Sequence, residues 1–524
     1  MSIVEFESVT YRYPGRARPA LDGVSLNIEP GQLVVIAGAS GSGKSTLLRA
    51  VSGLVPHFHG GEFSGRVQVA GQDTRSSGPG ELATEVGTLF QDPETQVVMG
   101  TVRAELAFPL ENQGWGQAAI ARGVEEAALA LAIEGLLDRS TAELSGGELQ
   151  RVALGATLAG RPKVVCLDEP TSQLDPVAGD ELIGLLRRLN EDGDLTVLLA
   201  EHRLERCLGT ADRVVAMSAG RVAFDGSPEG FLGWAMKTAP ALATPGARLL
   251  SGLGLPPVPG VKRARSALRQ RGLEPDSGSF STRGKQKGSQ SAQTALKFDR
   301  VWHEIKEGPA ILRSLSLVAK NGERIALMGR NGAGKSTLLR HAAGLMKPTR
   351  GKIQTSGRVA LLLQNPTDYL VHDTVAQEAP AAALKRFGLA GFESWHPRDL
   401  SGGEKQRLAL AIVIGEDTPA VLALDEPTRG MDRHFKHELA ELIKTIDATV
   451  IVATHDPEFA AAFADRVVLL ADGRVIADGM TSEILSGGTY FATETARILG
   501  GAGGALLPEQ GIALLASTPT ATPA

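Results

Sequence analysis

The chain has 524 residues, which predicts more than one domain, because single hydrophobic cores stop growing at about 250–300 residues. Hydrophobic residues make up 43% and charged residues 22% of the sequence, a composition that is ordinary for folded globular proteins and excludes overall disorder. The net charge of −5 excludes nucleic-acid binding by a global positive field. The chain has only two cysteines, Cys166 and Cys207, which excludes a disulfide framework and any four-cysteine zinc or iron–sulfur site within the chain.

The sequence also lacks targeting and membrane-spanning patterns. Residues 1–7 have neither the basic region nor the apolar stretch of a secretory signal. The strongly apolar runs, such as Val34–Ala37 and Val197–Ala200, are far shorter than the about 20 residues that a membrane helix needs. We therefore expect a cytoplasmic protein that reaches a membrane only through partners.

Several motifs occur twice in the same order, which identifies a tandem duplication of one domain. The repeated strings begin at Gly38 and Gly329, Leu144 and Leu400, Leu167 and Leu424, and Ala211 and Ala464. We predict a first domain over residues 1–240 and a second over residues 295–499. Residues 241–294 are a predicted linker, and residues 500–524 are a predicted flexible tail.

Short, β-branched apolar runs predict buried parallel strands in both copies. In chain order these runs are Val34–Ala37, Val164–Leu167, Val197–Ala200, Val214–Met217, Ile325–Met328, Val421–Leu424 and Val450–Ala453. Helical stretches such as Glu181–Leu189 separate them. This alternation predicts an α/β fold in each half, with a mainly parallel sheet.

The segment between the copies changes in composition. Val261–Arg271 predicts a short basic helix, and Ser277–Ser291 is rich in Ser, Gly and Gln. We interpret the segment as a linker with one docked helix. Contact of its basic residues with phospholipid headgroups or RNA is the alternative.

Each copy contains the phosphate-binding pattern GxxxxGK[ST] between a predicted strand and a predicted helix, the context that confirms this motif. The glycines allow backbone N–H groups to surround phosphate oxygens, while the lysine reaches the β- and γ-phosphates and the serine binds Mg²⁺. The predicted nucleotide-binding residues are Gly38, Ser40, Gly41, Ser42, Gly43, Lys44, Ser45 and Thr46, and Gly329, Asn331, Gly332, Ala333, Gly334, Lys335, Ser336 and Thr337.

Two acids follow an apolar strand in each copy. Asp168 and Asp425 end their strands beside the phosphate loop, a position suited to holding Mg²⁺. The next residues, Glu169 and Glu426, are the candidate general bases that polarise water. We therefore predict a P-loop NTPase domain in each half.

The string LSGGE followed by Gln-Arg narrows this prediction. It contains Ser145, Gly146 and Gly147 in the first copy and Ser401, Gly402 and Gly403 in the second. A helix that starts in this way is a second anion-binding terminus. With these strings both halves, though not the linker and tail, resemble the ABC ATPase family. That resemblance implies a helical signature subdomain in each domain and ATP sandwiched between the signature of one domain and the phosphate loop of the other.

Further family positions match one at a time. Gln91 and Gln364 resemble the Q-loop glutamines that contact Mg²⁺ and the membrane partner, and His202 and His455 resemble the switch histidines that contact the γ-phosphate. Asp175 and Asp432 resemble the D-loop aspartates. The resemblance implies two composite, hydrolysis-competent ATP sites within one chain, so that intramolecular pairing replaces a dimer of separate ATPases.

The aromatic residue on which adenine stacks differs between the copies. Tyr13 resembles this residue in the first copy, and Tyr11 is an alternative. The second copy has Ile305 at the equivalent position, where Trp302 could substitute.

Residues 90–108, echoed at 364–378, resemble the ATPases of energy-coupling factor (ECF) importers, as do residues 56–62 and 201–205. This resemblance implies an ATP-hydrolysing subunit, peripheral at the cytoplasmic face of the plasma membrane, under a transmembrane scaffold protein. A separate substrate-capture membrane protein would bind a vitamin or transition-metal ion, and no nucleic-acid partner is expected. The alternative is a soluble tandem ATPase acting on ribosomes, like the ABC-F translation factors, whose interdomain segments are long, helical and highly charged, unlike Ser277–Ser291 here.

Overall fold

The computed structural model describes residues 2–273, 293–306, 308–415, 417–488 and 490–517. The Ser277–Ser291 stretch therefore lies outside the described residues. The chain divides into two compact units, unit 1 over Met1–Ser266 and unit 2 over Ala267–Ala524.

Unit 1 combines strands and helices in the alternating order that the apolar runs predict. Its strands are β1 (Val4–Arg12), β2 (Leu21–Ile28), β3 (Leu33–Ala37), β4 (Glu62–Val69), β5 (Gln72–Asp73), β6 (Val86–Leu89), β7 (Val164–Asp168), β8 (Thr196–Ala200), β9 (Arg213–Ser218) and β10 (Arg221–Gly226). Its helices are α1 (Lys44–Val51), α2 (Leu54–His57), α3 (Pro79–Leu82), α4 (Val102–Asn112), α5 (Gln117–Ala130), α6 (Gly146–Ala159), α7 (Pro176–Gly193), α8 (Leu204–Cys207), α9 (Pro228–Thr238) and α10 (Pro245–Gly252), followed by α11 (Val261–Gln270) at the boundary of the units.

The central sheet of unit 1 has the order β10-β9-β3-β8-β7-β6 and is parallel except for the β9–β10 pair. Every residue of β3, β7 and β8 is buried, as expected for a parallel sheet that is covered on both faces. Val35 and Val165 pack into one core with the helices, whereas Val34 and Cys166 pack into a second core with the antiparallel sheet β2-β1-β4-β5. Successive residues of a strand thus fill opposite cores.

Unit 2 repeats this order of elements. Its strands are β11 (Thr294–Glu304), β12 (Ala310–Lys320), β13 (Arg324–Gly329), β14 (Arg350–Thr355), β15 (Val359–Leu362), β16 (Val421–Asp425), β17 (Thr449–Ala453), β18 (Arg466–Ala471) and β19 (Arg474–Met480). Its helices are α12 (Lys335–Ala342), α13 (Val375–Glu378), α14 (Ala381–Arg386), α15 (Gly402–Ile414), α16 (Arg433–Thr445), α17 (Pro457–Phe463), α18 (Thr481–Gly487), α19 (Glu494–Leu499) and α20 (Pro508–Ala516).

The central sheet of unit 2 has the order β15-β16-β17-β13-β18-β19, which is the strand order of unit 1 read from its other edge. It is parallel except for the β18–β19 pair. A smaller antiparallel sheet, β12-β11-β14, covers one face. The predicted α/β fold with a mainly parallel sheet in each half is confirmed.

The duplication extends beyond the strings that occur twice in the sequence. Thr244 caps α10 and Thr493 caps α19, and the same Ala-Arg-aliphatic-Leu pattern follows at Ala247–Leu250 and Ala496–Leu499. The predicted basic helix is confirmed as α11, and α20 lies within the segment that we predicted to be a tail. Among the described residues, no helix combines the length and the apolar character needed to cross a membrane.

Candidate functional site

Three loops meet at one edge of the central sheet in each unit. In unit 1, Gly38 follows β3, Glu169 follows β7 and Glu201 follows β8, and β8 lies between the other two strands. Because these strands are parallel, their carboxyl ends lie at the same edge, the usual ligand-binding edge of an α/β sheet. The strand order therefore brings the phosphate loop together with two acids that lie more than a hundred residues later in the sequence.

The phosphate loop of unit 1 requires glycine at both of its ends. Gly38 has φ +150°, and a Cβ atom there would lie 2.6 Å from the carbonyl oxygen of Met217. Gly43 has φ +106°, and its Cβ would lie 2.5 Å from the carbonyl oxygen of Ala20. Both distances are shorter than van der Waals contact, so only glycine allows the loop to close against β9 and the segment before β2.

The lysine of each phosphate loop is buried and lies inside its own loop. Lys44 Nζ donates hydrogen bonds to the carbonyl oxygens of Gly38 at 2.9 Å and Ala39 at 3.0 Å. Lys335 Nζ donates to Gly329 at 2.9 Å and Arg330 at 3.2 Å. A cation held at the N-terminus of α1 or α12 makes each loop a strong anion site.

The strand-terminal aspartates have the character of cation ligands. Asp168 and Asp425 are buried, and Oδ1 of each accepts no hydrogen bond from the described residues. Ser45 and Ser336 donate hydrogen bonds to the same carboxyl groups. Burial raises the pKa of both aspartates, although these serine bonds oppose the shift. Oxygen donors of this kind suit Mg²⁺, so the residues present fit that ion in both units.

The next acid in unit 1 joins the predicted glutamine and histidine. His202 Nε2 lies 2.9 Å from Glu169 Oε1, and Gln91 Nε2 donates to Glu169 Oε2 at 3.1 Å. The backbone of Glu169 has φ +51°, a left-handed conformation that is uncommon for a residue other than glycine. Such strain is typical of functional sites.

Unit 2 reproduces the acid–histidine pair but not the glutamine contact. His455 Nδ1 lies 2.8 Å from Glu426 Oε2, and Lys335 Nζ lies 3.9 Å from Glu426 Oε1. Glu426 is also left-handed, with φ +47°. The side chain of Gln364 is exposed, and none of its atoms is hydrogen-bonded to a described residue.

The two signature strings begin helices, as predicted. Ser145 caps α6 and Ser401 caps α15, and each forms a capping box with the glutamate three residues later, Glu148 or Glu404. Gly146, Gly147, Gly402 and Gly403 form the first turns. A capped first turn fixes the direction of the N-terminus, which is the part of a helix that attracts anions.

The predicted D-loop aspartates act as helix caps within their own units. Asp175 Oδ1 accepts from the backbone N–H of Val177 at 3.1 Å and Ala178 at 3.0 Å at the start of α7. Asp432 accepts from Phe435 N–H at 3.1 Å at the start of α16. This capping fixes the loop between the acid pair and the next helix.

The aromatic candidates for adenine stacking occupy different environments. Tyr11 is fully buried and donates to the Gly60 carbonyl at 2.7 Å, and burial raises its pKa to about 12. Tyr13 is half-buried, and Arg49 of α1 donates to its hydroxyl at 3.0 Å. Tyr13 therefore presents the more accessible ring. In unit 2, Ile305 is 48% exposed, whereas the half-buried Trp302 ring lies under the Arg350 guanidinium.

We expect Tyr13→Ala to weaken ATP binding at the unit 1 loop about twofold to tenfold, since one aromatic contact contributes about 0.5–1.5 kcal/mol. Titration with a fluorescent ATP analogue measures this change. The matched control is Ile305→Ala, which removes the aliphatic side chain at the equivalent position and should leave affinity within twofold. Equal losses in the two variants would contradict the assignment of Tyr13.

Two buried acids lie beside the histidines in addition to the predicted site residues. Glu201 precedes His202 and is 3% exposed, while Asp456 follows His455 and is 5% exposed. The signal for Glu201 was present in the sequence, because an acid directly after an apolar strand is the pattern that identifies Asp168. Asp456 lies three residues after the end of β17 and caps α17, so it lacks this signal.

Comparison with known proteins agrees with this arrangement. The family model described as ABC transporter matches residues 21–172 and 312–429. A Streptomyces coelicolor protein that carries the name of an ABC transporter ATP-binding protein is 39% identical, covering 95% of this chain and 97% of its own length. A relative of the same description from Methanosarcina acetivorans is 33% identical over 92% of this chain and 85% of its own.

Among solved structures, the complex of an archaeal ribosomal stalk protein with the ribosome recycling factor aABCE1 contains a chain with the same fold. Its TM-score is 0.60 at 22% identity, and the alignment covers 91% of each chain. This likeness concerns the fold alone. The full-length relatives, the family match and the motifs that meet twice at a sheet edge show that this chain is a tandem ATPase of the ABC transporter family.

Proposed function

We propose that this chain is the ATP-hydrolysing, energy-coupling subunit of a membrane importer of the ECF type. The observation that carries the enzymatic part is the repeated acid–histidine pair beside a phosphate loop. Glu169 with His202 and Glu426 with His455 lie 2.9 and 2.8 Å apart. Two equivalent constellations favour hydrolysis over nucleotide binding alone.

In the proposed reaction, Lys44 and the N–H groups of its loop bind the β- and γ-phosphates of ATP. Glu169 accepts a proton from the attacking water, whose oxygen forms a bond to the γ-phosphorus as the bond to the β–γ bridging oxygen breaks. His202 orients Glu169 and the γ-phosphate. Asp168 and Ser45 would hold Mg²⁺, which neutralises phosphate charge when bound. Lys335, Glu426, His455, Asp425 and Ser336 have the same roles in unit 2.

We further propose that the signature residues Ser401-Gly402-Gly403 complete the first ATP site and Ser145-Gly146-Gly147 complete the second. The capped helix starts support this role, because each presents a fixed N-terminus to an anion. Asp175 and Asp432 would position the loops near these sites. ATP binding would close the two halves, and hydrolysis would reopen them.

Coupling to a membrane protein is supported by apolar side chains that are exposed at equivalent positions. Val98 is 66% exposed and Val371 is 75% exposed, and each lies seven residues after the Q-loop glutamine of its unit. Single exposed valines are common, but the same exposure in both copies favours a partner surface. The names of the relatives and the resemblance to ECF importer ATPases point to the same role.

In this proposal the chain is peripheral at the cytoplasmic face of the plasma membrane, with a transmembrane scaffold protein and a substrate-capture protein as partners. The transported vitamin or metal ion would contact only those partners. No residue of this chain is therefore expected to set substrate specificity.

We expect the double variant Val98→Asp, Val371→Asp to lose association with membranes at least fivefold while keeping basal ATP turnover within twofold. Buried charge at an apolar contact is costly, whereas neither valine touches the reacting groups. The measurement is membrane flotation of the full-length chain from cells. Ile476→Asp is the matched control, since Ile476 is 62% exposed on β19. Retention of the double variant on membranes would contradict the proposed surface.

A soluble tandem ATPase acting on ribosomes is the second candidate. The observation that favours it is the tandem duplication, which this chain shares with such proteins, whereas the likeness to the solved aABCE1 chain concerns the fold alone. Cosedimentation with ribosomes that resists moderate salt would support this candidate.

A further inference from the structure

In each unit, a buried carboxylate lies next to the switch histidine in the sequence, and the proposed reaction does not use this carboxylate. In unit 1 this residue is Glu201, directly before His202, and in unit 2 it is Asp456, directly after His455. The position before His455 holds Thr454. Because a buried carboxylate requires hydrogen bonds or a paired charge, its partners show which parts of the structure it holds together.

Glu201 joins the loop after β8 to the loop after β7. Its Oε2 accepts the backbone N–H groups of His202 at 2.8 Å and Arg203 at 3.2 Å. Its Oε1 accepts the backbone N–H of Thr171 at 3.3 Å and also the Thr171 hydroxyl. Thr171 is fully buried and lies two residues after Glu169.

This link lies beside the contact between the two candidate catalytic side chains. His202 Nε2 lies 2.9 Å from Glu169 Oε1, and Glu169 N–H donates to the Ala200 carbonyl at 2.9 Å. The left-handed backbone of Glu169 persists only if its surroundings hold it. The four hydrogen bonds to Glu201 supply part of that constraint and fix both loops at once.

The cation near the buried acid comes from a different helix in each unit. Arg206 of α8 is buried near Glu201, and burial lowers its pKa. A Cβ atom on Gly179 of α7 would lie 2.3 Å from Arg206 Nη1, so glycine leaves the room that Arg206 needs. Counting from the D-loop aspartate and from the switch histidine, Lys436 and Phe459 replace Gly179 and Arg206 in unit 2.

Asp456 consequently has different partners from Glu201. Lys436 Nζ of α16 pairs with Asp456 Oδ2 at 2.7 Å, and Asp456 Oδ1 accepts Phe459 N–H at 3.1 Å. The Thr454 hydroxyl accepts Asp456 N–H at 3.1 Å. The loop of His455 is thus attached to α16, the helix that Asp432 caps.

We propose that Glu201 is a positioning residue for hydrolysis in unit 1, holding the His202 loop against the Glu169 loop through Thr171, whereas Asp456 holds the His455 loop against α16 through Lys436. The proposal rests on the roles assigned to Glu169 and His202 under the proposed function. The two ATP sites, similar in their reacting groups, are therefore supported by different elements.

The test compares Glu201→Gln with the matched variant Asp456→Asn in the full-length chain, by ATP turnover and by amide hydrogen exchange. In Glu201→Gln one of the two acceptor oxygens becomes an NH₂ group, which cannot accept a hydrogen bond from the backbone N–H groups that face it. We therefore expect kcat to fall at least twofold while KM for ATP stays within twofold. Exchange should rise in residues 169–173 and 202–206 together. Thr171→Val, which removes only the hydroxyl donor, should raise exchange in the same two segments.

Asp456→Asn should raise exchange in residues 433–437 and 456–460 and leave residues 426–430 unchanged. An unchanged kcat in Glu201→Gln would overturn the proposal. Exchange that rises only in residues 202–206 would also overturn it, because the two loops would then not be held together by Glu201. Exchange that rises throughout unit 1 would overturn it as well, because it would show a general loss of stability. If the wild-type chain hydrolyses no ATP, the proposed function fails, and the exchange patterns alone decide whether the two links exist.

Discussion

The double variant Glu169→Gln, Glu426→Gln is expected to lose about 100-fold or more in ATP turnover while still binding ATP. Positioned general-base catalysis contributes about 10²–10⁴-fold, and an amide of the same size cannot accept the proton of the attacking water. The Lys44 and Lys335 loops remain intact, because their lysines contact loop carbonyls within 3.2 Å. The measurements are steady-state phosphate release and nucleotide-binding titration on the same preparation.

A matched control separates this effect from a general change of charge. Glu191→Gln removes a carboxylate that is 54% exposed on α7 and pairs with Arg187 four residues earlier, so turnover should stay within twofold. Near-wild-type turnover in the double variant would show that neither glutamate is the base. Loss of both turnover and binding would instead show that these glutamates contribute to ATP binding.

The double variant Lys44→Ala, Lys335→Ala is expected to weaken ATP binding at least about tenfold. A hydrogen bond to a charged group contributes about 1.5–3 kcal/mol, and 1.4 kcal/mol corresponds to a factor of ten. Both lysines are buried at a helix N-terminus, where solvent screens the phosphate contact least. Titration with ATP in the presence of Mg²⁺ measures the loss directly.

Lys163→Ala is the corresponding control. Its side chain is 65% exposed and pairs with Glu85, and it precedes β7, at the opposite end of that strand from Asp168, so ATP affinity should stay within twofold. If the double lysine variant binds ATP as tightly as this control, the two loops are not the phosphate sites.

The edge of each sheet that carries the candidate site could be predicted from sequence because its determinants are local. Runs such as Val34–Ala37 and Val421–Leu424 are continuously apolar, which favours buried parallel strands, and β3 and β16 confirm them. The motifs follow these strands directly. Their convergence then requires only that parallel strands end at one edge of the sheet.

The cations near the buried acids could not be predicted, because their placement depends on pairs of residues that are distant in sequence. Arg206 lies where a side chain on Gly179, on another helix, would meet its guanidinium group, and in unit 2 the residue equivalent to Gly179 is Lys436, which pairs with Asp456. The capped helices α10 and α19 could not be predicted for a different reason. They are short, and α10 begins Pro245-Gly246, so its composition favours a linker. Both helices are stabilised by their threonine caps and by the burial of apolar residues such as Leu249, Leu250 and Ile498.

The measurement that most directly tests the central claim is affinity purification of the full-length chain from detergent-solubilised membranes, followed by mass spectrometry and an ATPase assay. An energy-coupling subunit should recover a multi-span membrane protein in stoichiometric amount, and the Val98→Asp, Val371→Asp variant should lose it. Recovery of ribosomal proteins without any multi-span protein would contradict the importer assignment and support the ribosome-acting alternative.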